Sequence, residues 1–166
     1  MTERPILGLD IDGVVAVEPP PGADVHEVRV SAWGRWNRSV LVPTGAREVV
    51  AELAEVYDIV WVSAWGHNAH TSWASELGIQ GDKWPFLPVQ FGQARAVADY
   101  ALDRPWALVN DGTDQNEQAP SRGAIVHVDA HKGLADLDVP SLIRHTFEIA
   151  ATRRELRGSH EQEKIS

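Results

Sequence analysis

Apolar positions along this chain fall into short unbroken runs that alternate with stretches of helical spacing. The first run, Ile6 to Leu9 and closing on Asp10, has the continuous pattern of a parallel strand covered on both faces. Pro19 to Gly22 cannot continue regular structure and reads as a loop. Val28–Val30 and Ser39–Val42 flank a stretch rich in Trp and Arg and predict a small hairpin over the sheet. Thr44 reads as the N-cap of a helix whose Val49, Val50, Leu53 and Ala54 share one face. Ile59–Ser63 is the second apolar strand, followed by a helix from Asn68 to Leu77 that stops at Gly78. A loop with Trp84, Pro85 and Pro88 leads to the apolar segment Val89–Phe91 and then to a helix from Gln93 to Leu102. Trp106–Val109 and Ala124–Val128 read as further strands, with a short helix over Asp114–Pro120 between them. Leu142–Arg154 is helical, and the polar tail from Gly158 reads as frayed.

Strands alternating with helices in this way argue for α/β architecture with a parallel sheet. The expectation is a three-layer, Rossmann-like domain over residues 1–157, with a small insert over 16–43 and a flexible tail over 158–166. At 166 residues the chain is long enough for one real core and short for two.

Polar residues collect where the strands end. Asp10 and Asp12 close the first strand, Ser63 the second, and Asn110, Asp111 and Asp114 follow a later one. Open α/β sheets bind ligands outside those carboxyl ends. Gathering charge there is costly unless a partner or metal compensates it. Carboxylates without cysteine or a histidine triad suit a hard divalent cation, Mg²⁺ first, held with water and substrate phosphate oxygens. Asp10 then suits a nucleophile at phosphorus. Asp12 is spaced to protonate the leaving oxygen and later to deprotonate the attacking water. Ser63 suits a hydrogen bond to the transferring phosphoryl oxygens.

Composition narrows the partners. A net charge of −9 opposes non-specific adhesion to nucleic acid or anionic lipid. No apolar run approaches the roughly 18 residues that span a bilayer, so no membrane partner is expected. The early Glu3 and Arg4 and the interruption at Asp10 do not suit a secretory signal. The absence of cysteine fits a cytoplasmic protein. Among the seven tryptophans, Trp33, Trp36, Trp65 and Trp84 fall in loops near the expected cleft. Base stacking is open to them, but packing over the sheet suits them better. His67 with His70, and His127 with His131, have spacings zinc uses, though solvated positions suit them better beside a carboxylate site. An EF-hand needs further oxygen ligands where Val14 and Val15 stand, and no P-loop pattern exists.

"LGLDIDGVV" resembles the first motif of the haloacid dehalogenase (HAD) superfamily, "IVWVSAW" its second, and "WALVNDGTD" its fourth, in the right order over residues 5 to 150. "VWVSAWGHNA" with "LGI" and "RPWALVND" is similar, more narrowly, to small HAD domains associated with RNA repair proteins. The resemblance implies a HAD fold with a minimal cap and a Mg²⁺-dependent phosphatase. Asp10 would be its nucleophile and Asp12 its general acid/base. Ser63 would bind phosphate. Asp10, the backbone carbonyl of Asp12 and Asp111 would hold the metal, and Asp114 would support it through water. The third motif normally supplies a lysine, yet the start of the helix after Phe91 reads Gln93, Ala94, Arg95. Lys83 and Arg95 are the candidate substitutes for binding phosphate, although Arg and Lys are not interchangeable there. The insert is too short for a large cap. An open cleft suits a bulky phosphorylated substrate such as a nucleic-acid end or a protein, or else a homo-oligomer that closes it, while small metabolites stay open. The alternative is a non-catalytic or degenerate HAD-like binding module.

Overall fold

The computed structural model describes residues 3–32, 36–66, 68–69, 73–78, 84–114 and 123–165. The elements in chain order are β1 (Ile6–Leu9), β2 (Val25–Ala32), β3 (Trp36–Pro43), α1 (Ala46–Val56), β4 (Asp58–Val62) and α2 (Ala74–Glu76). They continue with β5 (Phe86–Leu87), α3 (Gln93–Ala101), β6 (Trp106–Asn110), β7 (Gly123–His127), a 3-10 turn (Gly133–Asp136) and α4 (Val139–Ile165). Five strands form one sheet in the order β5-β4-β1-β6-β7, with every neighbouring pair parallel. β2 and β3 form a separate antiparallel hairpin.

The alternation of side chains along each strand divides the core between two sheet faces. On one face Leu7, Leu9, Ile59, Trp61 and Val109 pack with Leu53 of α1, Leu134 of the 3-10 turn and Leu142 of α4. On the other, Ile6, Val60, Val62 and Leu108 pack with Ala94, Val97 and Ala101 of α3. The sheet is therefore a middle layer, compatible with a Rossmann-like arrangement, and its continuous apolar strands are the consequence of double coverage.

Gly8 sets how closely α3 approaches. A Cβ at this position would lie 2.6 Å from Val97 Cγ2 and 3.0 Å from Val62 Cγ2. Gly8→Val should overpack this contact and lower stability by about 1–3 kcal/mol. The check is the denaturant midpoint at unchanged slope.

The hairpin forms where the sequence places it, and its inner valines join the main core. Val28, Val30, Val40 and Val42 are all buried in the same cluster as Leu7 and Leu9. Thr44 does not cap α1. The N-cap is Gly45 at φ 90°, without a side-chain cap bond. Thr44 Oγ1 instead donates to Asp24 Oδ1 at 2.9 Å, clasping the base of the hairpin. The hydroxyl found a better acceptor across the hairpin than along the helix.

Val89–Phe91 is not a strand. The short fifth strand is Phe86–Leu87, which registers with Trp61 and Val62, and Phe91 is exposed. Pro88 has no N–H to continue the ladder. Within the helix expected over Asn68–Leu77, Asn68, Ala69 and Trp73 are helical and α2 follows them, with Leu77 at its C-cap; residues 67 and 70–72 lie outside the described residues. The helix expected over Asp114–Pro120 falls outside them too, from residue 115 on. α4 extends past Arg154 and through Gly158 to Ile165, so helix replaces the frayed tail, although residues 154–165 are all exposed. No described helix is long and apolar enough to cross a membrane.

Candidate functional site

β1 lies at the centre of the sheet, between β4 and β6. The chain leaves it toward β4 and β5 and then returns to β6 on the other side. The connection thus reverses at the carboxyl ends of β1 and β6, where open parallel sheets place ligands. Asp10 follows β1, Ser63 follows β4, and Asp111 follows β6. The sheet brings these three sequence-predicted residues to one edge.

After Asp10 the chain folds sharply back. The Ile11 carbonyl accepts N–H bonds from Val14, Val15 and Ala16 at 3.1, 2.8 and 2.9 Å. Gly13 permits this turn at φ 78°, in the left-handed region. Its missing side chain also admits Asp111, because a Cβ there would fall 2.3 Å from Asp111 Oδ2. Gly13→Ala should lower stability by about 1–2 kcal/mol from backbone strain alone and push Asp111 away from the turn. Chemical denaturation measures the first effect and a structure of the variant the second.

Asp10 is buried. Its Oδ1 accepts the Ile11 N–H at 2.7 Å, and its carboxyl group is hydrogen-bonded to the Gln93 side chain. Burial, above all, pushes its pKa up to about 7. The hydrogen bonds from Gln93 and Ile11 oppose that shift, while the charges of Asp12 and Asp111 add to it.

Gln93 is the residue whose part the sequence leaves unread. It occupies the start of α3, where a lysine is expected, and it is 2% exposed. Besides Asp10, its Nε2 donates to the Val62 carbonyl at 3.2 Å, and its Oε1 accepts from Asn110 Nδ2 at 3.1 Å. Its backbone N–H donates to Asp114 Oδ2 at 3.0 Å. With the Asn110 amide nitrogen committed to Gln93, Asn110 Oδ1 accepts from Gly112 N–H at 3.2 Å and from His127 Nδ1 at 2.7 Å. A neutral amide network therefore links the ends of β1, β4, β6 and β7 through one helix terminus. The available signal was the apolar face of α3: Gln93 stands four residues before Val97 and directly beside Ala94, both buried.

The remaining carboxylates each hold a nearby donor. Asp12 is exposed, and its Oδ1 accepts from Trp65 Nε1 at 3.2 Å. Trp65 is itself buried, edge-on to Trp73 with ring centroids 5.5 Å apart, and its backbone N–H reaches Ser63 Oγ at 3.3 Å. Packing thus prevails for Trp65, as the sequence suggests, but its indole nitrogen also steadies Asp12. Asp111 Oδ1 accepts from Thr113 N–H at 3.1 Å and from Thr113 Oγ1 at 2.7 Å. Asp114 is buried, and its carboxylate accepts the first N–H of α3.

Of the two cations read as phosphate ligands, Arg95 is not brought to the site. Its side chain is 89% exposed and lies 4.0 Å from Asp99 on the outer face of α3. Helical periodicity explains this, since the inward positions belong to Gln93, Ala94 and Val97. Lys83 lies outside the described residues.

No group of three Asp, Glu or His side chains among the described residues forms a ready-made metal centre. The donor chemistry still suits a hard cation. Asp10, Asp12 and Asp111 present only oxygen ligands, the charges of Asp12 and Asp111 oppose ionisation of Asp10, and none of the three ion-pairs with a described cation. Beside them opens a cleft of about 580 Å³, lined by Asp12, Asp111 and Trp65 on one side and by β3 on the other. Its size is that of a small-ligand site. No protein-family model matches this chain, and a search of curated proteins finds no match to it.

Proposed function

We propose that this chain is a Mg²⁺-dependent phosphomonoester hydrolase of the HAD type, working through a phosphorylated Asp10. One observation carries the reading. A buried carboxylate stands at the end of the central strand, oriented by Ile11 and Gln93, beside two further carboxylates and next to a cleft.

In this reading Asp10 attacks phosphorus, forming an acyl phosphate as the ester P–O bond breaks. Asp12 gives its proton to the leaving oxygen. Asp12 then takes a proton from water, which attacks the same phosphorus, releases inorganic phosphate and restores Asp10. Ser63, buried at the end of β4, donates a hydrogen bond to the transferring oxygens. Mg²⁺ held by Asp10, Asp12 and Asp111, with Asp114 behind them, would neutralise charge that these residues gather. Trp65 holds Asp12 facing the cleft, and Gln93 holds Asp10. The hairpin acts as a minimal cap that leaves the cleft open to a small phosphoester or a nucleic-acid end.

A second reading is favoured by Gln93 itself. A neutral amide in the place of the expected cation suits a degenerate, binding-only domain. The deciding experiment supplies Mg²⁺ and a chromogenic phosphomonoester and looks for turnover. It also looks for a hydroxylamine-labile phosphate on the peptide carrying Asp10. Turnover with that adduct supports the hydrolase. Mg²⁺ binding without turnover or adduct supports the binding domain, and turnover without the adduct rejects Asp10 as nucleophile.

A further inference from the structure

The cleft beside Asp12 has a second wall whose chemistry the phosphatase reading leaves unassigned. It runs along β3 next to Val17, whose N–H bonds the Leu41 carbonyl at 2.9 Å. On the inner face of the hairpin Val28, Val30, Val40 and Val42 are buried against the main core. Arg38 stands directly across from Val30 and two residues from Val40, so strand alternation puts it on this same inner face. Unlike those valines it is exposed, and it lines the cleft.

Arg38 makes no hydrogen bond or ion pair with any described residue. It nevertheless lines a cleft that also contains Glu18, Asp12 and Asp111. His131 also lines it, fixed by its Nδ1 to the Glu18 carbonyl at 2.7 Å. A guanidinium held over a concave site with its five donors unused by any described residue is shaped for a bidentate oxyanion.

We propose that Arg38 is a specificity-determining residue that binds a second phosphate group on the substrate, beyond the ester cleaved at Asp10. The inference rests on the phosphatase reading for the position of the first phosphate. It names the substrate class as a phosphomonoester whose leaving group carries another phosphate. That second phosphate comes either from a small bisphosphate or from the first internucleotide linkage of a polynucleotide end.

The test compares kcat/KM for propane-1,3-diol bisphosphate with that for propyl phosphate, and for a 5′-phosphorylated thymidine dinucleotide with that for thymidine 5′-phosphate. A charge-assisted bidentate contact should favour at least one of the two-phosphate substrates by about tenfold or more, mostly through KM. Arg38→Gln should bring that ratio close to one, and Arg38→Lys should restore part of it. Preference confined to the diol pair identifies a small bisphosphate as the source, and preference confined to the dinucleotide pair identifies a strand end. A ratio equal in wild type and Arg38→Gln overturns the assignment. If no phosphoester is turned over, calorimetry with propane-1,3-diyl bisphosphonate and propylphosphonate reads Arg38 separately. An Arg38-dependent preference for the bisphosphonate then upholds the inference while the hydrolase reading fails, and equal binding rejects the inference.

Discussion

Asp10→Asn should abolish phosphomonoester turnover and, at the same time, make the protein more stable above pH 7. If Asp10 is the nucleophile, as proposed, its loss should lower kcat/KM by at least about 10³-fold. The gain in stability follows from linkage. Folded Asp10 keeps its proton up to about pH 7, whereas the unfolded chain releases it near the ordinary 3.8. Between those values the native state binds more protons, so wild-type stability falls as pH rises and levels off above about 7. The whole effect is about 4 kcal/mol if the shift is fully expressed. Asparagine resembles the protonated acid and carries no charge, so the variant should lose this slope. Denaturation from pH 4 to pH 8, wild type beside variant, checks the sign. Parallel curves would reject the buried, charge-averse Asp10. A cation that needs the ionised carboxylate competes with this proton, so Mg²⁺-dependent activity should rise with pH through about 7.

Gln93→Leu should be the most damaging substitution in the network. It leaves the Val62 carbonyl, the Asn110 amide and Asp10 without the partner they now share. A stability loss of about 1–3 kcal/mol is expected, the cost of a buried polar group that loses its hydrogen bond. Because the Gln93 hydrogen bond holds the pKa of Asp10 down, its removal should also move the pH-dependent loss of stability to higher pH. Gln93→Lys should act in the opposite direction. An ammonium beside Asp10, Asp12 and Asp111 favours their charged forms. The stability slope should shift to lower pH, and turnover at pH 6 should increase over wild type. Unchanged pH profiles in both variants would mean that Gln93 fills space at Asp10 without governing its charge.

Elements that depend on local pattern were legible in the sequence. The strands ending at Leu9, Val62 and Asn110 follow from apolar runs, and the hairpin follows from its alternating valines. The edge carrying Asp10, Ser63 and Asp111 follows from the rule that ligands gather at strand ends. What escaped depended on partners distant in the chain. Thr44 looks like a helix cap until Asp24, on the far side of the hairpin, offers a closer acceptor. Phe86–Leu87 and Val89–Phe91 both carry apolar residues, and only the register against Trp61 and Val62 selects between them. Gln93 reads as a missing lysine because a side-chain hydrogen bond to Asn110, seventeen residues later, leaves no local trace. Arg95 reads as a cation near the site until the turn of α3 points it at Asp99.

The hairpin's four inner valines share one cluster with the sheet, and this has a kinetic meaning. A flap with a core of its own could swing aside or melt by itself. This one has to break the packing around Leu7 and Leu9 before it can move. Its amide protons should therefore exchange with solvent only at the rate of global opening, together with those of β1. A ligand in the cleft would then meet a rigid wall.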